Sequence, residues 1–192
     1  MLIKSIFVPI IITPSILLSS YFFVKKEPRH TLVFDLDNTL ISSEKIKKYN
    51  MHNNSNISKH DYMTQLKDFS EDEQYLVWKR PYVDFTLNIL SNFTNIYFYT
   101  AASEEYANDI ISGCFPKYYK KNNIYHRNHW IIDNKSKNLQ RINKSNNITL
   151  IDDKLYNHNE GQSFYHIPQF YYYNNNDCEM IKLLFNIIKK IM

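Results

Sequence analysis

Residues 35 to 39 read Asp-Leu-Asp-Asn-Thr, two carboxylates one residue apart followed by an amide and a hydroxyl. Carboxylates held that close repel each other, and a divalent cation is the usual way to keep both ionised. A second acidic pair, Asp152-Asp153, lies far downstream, with Lys135, Lys137 and Arg141 shortly before it. Between the two pairs, Thr100 precedes Ala101-Ala102-Ser103-Glu104-Glu105. A strand that ends in Thr at a helix N-terminus seats phosphate well, because hydroxyl, backbone N–H groups and helix dipole all point outward there. An isolated Asp-x-Asp more often ends a strand in a solvated Asx turn. The apolar run before Asp35, and the matching pieces downstream in order, weigh against that plain alternative.

These residues need strands to deliver them. Thr31 to Phe34 is a short run of strand formers that meets Asp35 at once, and strand alternation puts Asp35 and Asp37 on one side if the chain stays extended. Asn95 to Thr100 and Ile148 to Ile151 read as two more strands, the second ending in Asp152-Asp153. Ser103 is a suitable cap for a helix over residues 104 to 111. Pro81 opens a helix whose apolar face would be Phe85, Leu87, Ile89, Leu90 and Phe93. Ser163 to Tyr173 reads as another extended piece. A closing helix over residues 180 to 191 presents Ile181, Leu183, Leu184, Ile187, Ile188 and Ile191. Strands alternating with helices predict an α/β fold with a mainly parallel sheet and right-handed crossovers. Residues 42 to 75, with Lys45, Lys47 and Lys48, are polar and irregular and read as a long surface excursion.

At 192 residues, 44% of them hydrophobic, the chain can bury a real core. Only Gly113 and Gly161 are present, so no Gly-rich phosphate loop can be written and any bound phosphate must find other donors. Cys114 and Cys178 have neither zinc-knuckle nor disulfide spacing and read as small buried hydrophobes. A net charge of +4 permits an acidic or phosphorylated partner without demanding nucleic acid.

From Ser5 to Val24 no residue is charged, while Lys4 precedes the stretch and Lys25-Lys26 follow it. About 20 apolar residues cross a bilayer as a helix, so the length just suffices, although Pro9, Pro14 and four Ser or Thr residues weaken it. Three readings stand: a membrane anchor, a cleaved targeting peptide, or a strand or helix packed onto the domain. An anchor would leave the rest of the chain on the cytosolic side, because the basic pair follows the span. Residues 1–26 are therefore set apart from a domain over residues 27–192. Unpaired cysteines suit an intracellular place, cytosolic or nuclear, better than a secreted one.

The order Asp35-x-Asp37-x-Thr39, Arg80-Pro81-x-Val83-x-Phe85, Thr100-Ala101, Tyr106-Ala107, Lys137-Asn138-Leu139 and Asp152-Asp153 resembles the phosphatase domain of the haloacid dehalogenase superfamily. More closely it resembles the FCP-type branch that dephosphorylates the carboxyl-terminal domain of RNA polymerase II, with its nuclear-envelope and mitochondrial-import relatives. The resemblance runs from about residue 29 to the C-terminus. It implies a Rossmannoid, three-layer fold around a central mainly parallel sheet, without a large cap domain.

The same resemblance implies a magnesium-dependent phosphoserine/phosphothreonine protein phosphatase. Asp35 would be the nucleophile that forms an aspartyl-phosphate, and Asp37 the general acid and then the base. Thr100 and Lys137 would bind the phosphoryl oxygens. Magnesium (Mg2+) would be held by Asp35, by the backbone carbonyl of Asp37 and by Asp152. Asp153, Thr39 and Arg80 would stand behind these groups, Asp153 to orient and Arg80 to buttress. Related proteins carry Lys-Asp-Leu where this chain has Lys137-Asn138-Leu139, one residue nearer the acidic pair, so Lys135 is a rival for the phosphate-binding lysine. Arg127, in His126-Arg127-Asn128-His129, falls where relatives place an arginine near the substrate groove. Missing a cap, the cleft would suit a phosphorylated peptide or protein, such as the polymerase C-terminal domain, and Trp78, Tyr82 and Tyr106 could stack an extended proline-containing segment or simply pack the core. Two other readings follow from the same likeness: an inactive, membrane-anchored peptide-binding module like the mitochondrial presequence receptor, and a phosphatase for small molecules or polynucleotide ends, which a charge of only +4 disfavours.

Overall fold

The structure is a computed structural model of the chain, and it describes residues 29–46, 61–67, 72–132, 134–144, 147–174 and 176–191. The hydrophobic segment at 5–24, Lys47, Lys48 and the run from Met51 to Asn56 lie outside the described residues. Two sheets organise what is described.

The first holds five parallel strands in the order β6-β5-β1-β7-β8: β1 His30–Phe34, β5 Thr94–Tyr99, β6 Ile124–Tyr125, β7 Ile148–Asp152 and β8 Ser163–His166. β1 is buried along its whole length, which is why its sequence runs apolar instead of alternating. The chain passes from β1 outward through β5 to β6, then crosses back to the other side of β1 at β7. The carboxyl ends of β1 and β7 therefore flank the topological switch point, where ligands of open α/β sheets bind.

Helices cover both faces. One core joins Leu32, Phe34, Phe98 and Ile151 to α1 Val83–Leu90, α2 Glu104–Cys114 and α4 Glu179–Ile191, through Leu87, Ile110 and Leu183 among others. The other joins Val33, Tyr99, Leu139 and Leu150 to Trp130 of α3 Arg127–Ile132. The result is the expected three-layer α/β arrangement. α2 starts where its sequence says it should: Ser103 Oγ accepts from the Tyr106 backbone N–H, and Glu104 and Glu105 complement the helix dipole. α4 buries Met180, Leu183, Leu184 and Ile187 at i, i+3, i+4 and i+7, and each such side chain contributes roughly 1.5–3 kcal/mol. Ile181, Ile188 and Ile191 are only half-buried.

Three expectations need correction. The excursion is not irregular throughout: β2 Ile41–Lys45, β3 Tyr62–Lys67 and β4 Asp72–Lys79 make an antiparallel sheet in the order β2-β4-β3, with β3 beside α2. α1 buries Val83, Thr86, Leu87 and Leu90, not the face containing Phe85, which is 54% exposed. The helix begins after Tyr82 (left-handed, φ 63°), two residues beyond Pro81, and the stripe it buries faces the core and α4, where Thr86 Oγ1 donates to the Met180 carbonyl at 3.1 Å. Cys114 is buried, and burial pushes its thiol up to about 12, whereas Cys178 is exposed. Among the described residues no helix is long and apolar enough to cross a membrane.

Candidate active site

β1 hydrogen-bonds β5 on one side and β7 on the other, so the ends of all three meet. Phe34 pairs with Phe98 and with Ile151, which places Asp35 level with Asp152 and one residue short of Thr100. The Asp35 N–H donates to the Ile151 carbonyl at 3.0 Å.

The chain does not stay extended after Asp35. The N–H groups of Thr39, Leu40 and Ile41 all donate to the Leu36 carbonyl, at 3.2, 2.9 and 3.1 Å, and Asn38 takes a left-handed backbone (φ 62°) that Asn tolerates better than most residues. A tight turn, not strand alternation, therefore sets the position of Asp37. Arg80 pins this turn from behind. Its guanidinium is almost wholly buried and donates to the Thr39 carbonyl at 3.0 Å, the Pro168 carbonyl at 2.8 Å, and both oxygens of Asp177 at 3.0 and 2.8 Å. Thr39 is pinned in front as well: its Oγ1 donates to Asp153 Oδ1 at 3.2 Å and accepts from the Asp153 N–H at 3.1 Å.

Lys137 decides the electrostatics. Its side chain is 0% exposed, and Nζ lies 2.5 Å from Asp35 Oδ1 and 2.6 Å from Asp152 Oδ2. Lys135 is exposed in the preceding turn, so the structure brings Lys137 and not Lys135 to the carboxylates. Burial alone would lower the pKa of the ammonium, but Asp35 and Asp152 outweigh it and hold Lys137 above the ordinary lysine value. Burial pushes Asp35 up to about 7, the ammonium pulling against that and Asp152 adding to it. Asp152 is held by more than Lys137: its Oδ1 accepts from the Lys154 N–H at 2.8 Å, and Asn157 Nδ2 reaches both of its oxygens at 3.1 and 3.0 Å.

One oxygen from each of Asp35, Asp152 and Asp153 can be chosen so that all three lie within 4.8 Å of one another, and all three residues are buried. Asp153 Oδ2 is buried with no hydrogen-bond partner. With the three carboxylates ionised, the ammonium of Lys137 touches two of them and that of Lys154 acts on all three from farther off, so negative charge still exceeds positive. An orphaned oxygen beside a net negative, all-oxygen cluster fits a divalent cation. The cluster contains Asp153, which sequence placed behind the ligands, and not the side chain of Asp37.

That side chain points elsewhere. Tyr106 Oη donates to Asp37 Oδ1 at 2.6 Å and Ser43 Oγ donates to the same oxygen at 2.9 Å. Burial pushes the Asp37 carboxyl up, and these two hydroxyls pull it back in part. Thr100 is buried; its Oγ1 accepts from the Ala102 N–H at 3.1 Å, which leaves its own O–H to donate. Arg127 is exposed at the start of α3 and donates from Nε to the Ala101 carbonyl at 3.1 Å, beside the Thr100 seat.

Of the aromatics, Trp78 is 4% exposed and stacks on Tyr172, and Tyr106 is buried against Tyr75, so neither offers an open face for a peptide, while Tyr82 is 57% exposed. His126 is buried, and His166 lies 3.0 Å from the Asp153 carbonyl. Sequence missed Ser43 and Asn157. No local spacing marks either, although Ser43 directly follows the acidic motif on β2.

A family model described as NLI interacting factor-like phosphatase matches residues 30–192. No protein of curated function matches the chain. Solved structures do. An arginine-to-alanine variant of the fission yeast RNA polymerase II CTD phosphatase Fcp1, bound to beryllium fluoride, superposes with a TM-score of 0.62 at 14% identity, over 84% of this chain and 50% of that one. A second structure, of Fcp1 described as an essential RNA polymerase II CTD phosphatase, gives a TM-score of 0.62 at 17% identity, over 84% and 49%. The chain thus spans about half the length of these structures, and the likeness shows the Rossmannoid fold.

Proposed function

Because the chain belongs to the NLI interacting factor-like phosphatase family, a phosphatase family, we propose that residues 27–192 form a magnesium-dependent phosphoserine/phosphothreonine protein phosphatase working through an aspartyl-phosphate. The observation that carries the reading is Lys137, fully buried and shared between Asp35 and Asp152 beside the unpartnered oxygen of Asp153. A scaffold that only bound peptides would gain nothing from burying three carboxylates and an ammonium, which costs several kcal/mol of desolvation per ion.

Asp35 attacks phosphorus, and Lys137 and Thr100 hold the phosphoryl oxygens where charge grows in the transition state. Asp37 gives its proton to the leaving alcohol oxygen and later takes one from water. Burial raises its pKa, the direction an acid that must arrive protonated needs. Asp35, Asp152 and Asp153 would hold magnesium, with the Asp37 carbonyl as a further oxygen. The cation when bound neutralises charge on the transferring group. Asn157 and the Lys154 N–H orient Asp152. The similarity to CTD phosphatases favours a phosphorylated peptide as substrate, the polymerase C-terminal domain among the candidates. Arg127, exposed beside Thr100, would meet its charge.

The test uses the purified full chain with 4-nitrophenyl phosphate, phosphoserine peptides and a 3′-phosphorylated oligonucleotide, with magnesium and with chelator, alongside Asp35→Asn. Magnesium-dependent turnover of the peptides that vanishes in Asp35→Asn is expected. Turnover of the oligonucleotide alone would transfer the enzyme to nucleic acid ends, and no turnover of any substrate would leave a binding module.

A further inference from the structure

Asp37 is clamped by side chains from two different elements. Ser43 comes from β2 of the antiparallel sheet and Tyr106 from the first turn of α2, and their hydroxyls lie 2.9 Å apart. Tyr106 Oη and Ser43 Oγ both donate to Oδ1, at 2.6 and 2.9 Å. Among the described residues no donor reaches Oδ2. When a carboxyl group is protonated, the oxygen that accepts two hydrogen bonds acts as its carbonyl, and the proton sits on the other. Tyr106 is also constrained: the Tyr75 ring packs edge-on against it at 5.9 Å between centroids, and its backbone N–H is held by Ser103 Oγ. The clamp is thus built into the junction of two elements and does not depend on a mobile side chain.

We propose that Tyr106 and Ser43 are positioning residues for the acid step, fixing Asp37 so that its proton sits on Oδ2 and faces the leaving oxygen. The assignment rests on the phosphatase reading above. In the step concerned, an Asp35 oxygen forms a bond to phosphorus as the bond from phosphorus to the leaving oxygen breaks. The Asp37 Oδ2 proton moves to that oxygen, giving a neutral alcohol, the aspartyl-phosphate and the Asp37 carboxylate. Loss of the clamp lets the carboxyl rotate and present the wrong oxygen, while nucleophile and phosphate seat stay in place.

General-acid help matters in proportion to how poorly the leaving group departs unaided, which separates this role from simple structural damage. The experiment measures kcat/KM of the full chain with 4-nitrophenyl, phenyl and benzyl phosphate, three substrates of similar size and very different leaving groups. kcat/KM reports only steps through formation of the aspartyl-phosphate, so the later hydrolysis does not enter. Tyr106→Phe keeps the ring and removes the donor. It is expected to raise the ratio of 4-nitrophenyl to benzyl phosphate kcat/KM by about tenfold or more, a part of the 10²–10⁴-fold that an acid contributes. Ser43→Ala should move the ratio the same way by a smaller factor, and it keeps the test decisive if Tyr106→Phe folds poorly. Equal loss on all three substrates in both variants, or no change in the ratio, overturns the assignment while leaving the phosphatase standing. A wild-type chain inert toward all three with magnesium present overturns both.

Discussion

Replacing Lys137 by Met tests the electrostatic centre most directly. The side chain is 0% exposed and its ammonium touches Asp35 at 2.5 Å and Asp152 at 2.6 Å, so Met fills the space but leaves two buried carboxylates facing each other. Removing one partner of a buried ion pair costs about 3–5 kcal/mol. For a domain of this size each kcal/mol lowers Tm by about 2–4 °C, so a fall of roughly 6–20 °C is expected. The pH dependence carries the sign. Asp35 is already raised to about 7 in the folded chain against 3.8 ordinarily, and without the ammonium it rises further. A raised carboxylate contributes its stability below 3.8 and loses it as pH climbs through the folded value. The deficit of Lys137→Met relative to wild type should therefore open above about pH 7 and shrink toward pH 5. Thermal denaturation by circular dichroism at pH 5, 7 and 8 in chelator measures it. The same variant should lose about 10²–10³ in kcat with magnesium present, the scale of removing one preorganised donor. Lys135→Met should match wild type in both respects. A Lys137→Met chain as stable as wild type at pH 8, or a Lys135→Met chain that alone loses turnover, would refute the reasoning.

Asp153→Asn keeps the Thr39 contacts in reach but removes charge from the cluster; calorimetry should show magnesium binding at least tenfold weaker, with Tm in chelator unchanged or raised. His30 is held by Thr149 Oγ1 at 2.9 Å and by Asn147, and burial lowers its pKa from 6.5. A lowered histidine contributes stability above its unfolded value and loses it as pH falls, so the Tm of wild type minus that of His30→Gln should shrink as pH falls below 6.5. For the N-terminal stretch we propose a membrane anchor at residues 5–24 that leaves the phosphatase domain on the cytosolic or nuclear side. A tagged full chain should then stay in the pellet after a carbonate wash of isolated membranes, and its release into the wash would remove the anchor.

The strands that carry the site were readable because they are short, apolar and end in the residues that matter. Asp35, Thr100 and Asp152 each sit within a residue of a strand end, so locating the strands located the groups. Lys137 has no such handle. It lies between a turn and a 3-10 segment, its N–H bonded to the Asn157 carbonyl at 2.7 Å, and only the fold separates it from Lys135 two residues earlier. Asn157 is invisible for the same reason: in an asparagine-rich chain nothing local distinguishes the one whose amide spans both oxygens of Asp152. The error at α1 is different in kind. Its apolar residues admit more than one stripe, and packing against the core and α4, with the polar Thr86 bonded to the Met180 carbonyl, takes the one through Val83, Thr86, Leu87 and Leu90. The polar excursion misled because β2 and β4 pair with each other across a long interval, and cross-strand pairing has no period within either segment.

Asp35 and Asp37 are the same residue type two positions apart, and their environments send them to different work. The turn through left-handed Asn38 is what separates them. Asp35 stays at the tip of β1 against an ammonium and two further carboxylates, the setting of a charged nucleophile that helps hold a cation. Asp37 swings out of that cluster into a buried site where two hydroxyls fix one of its oxygens, and it is burial, acting against those two donors, that favours its protonated form. Had the chain continued as a strand, both would have faced one crevice and competed for the same positive charge. The buried Arg80, through the Thr39 carbonyl, holds the turn in the shape that prevents this. Its four hydrogen bonds to Thr39, Pro168 and Asp177 therefore bear on chemistry it never touches: loosening Arg80 should blur the division of labour between the two aspartates before it unfolds the sheet.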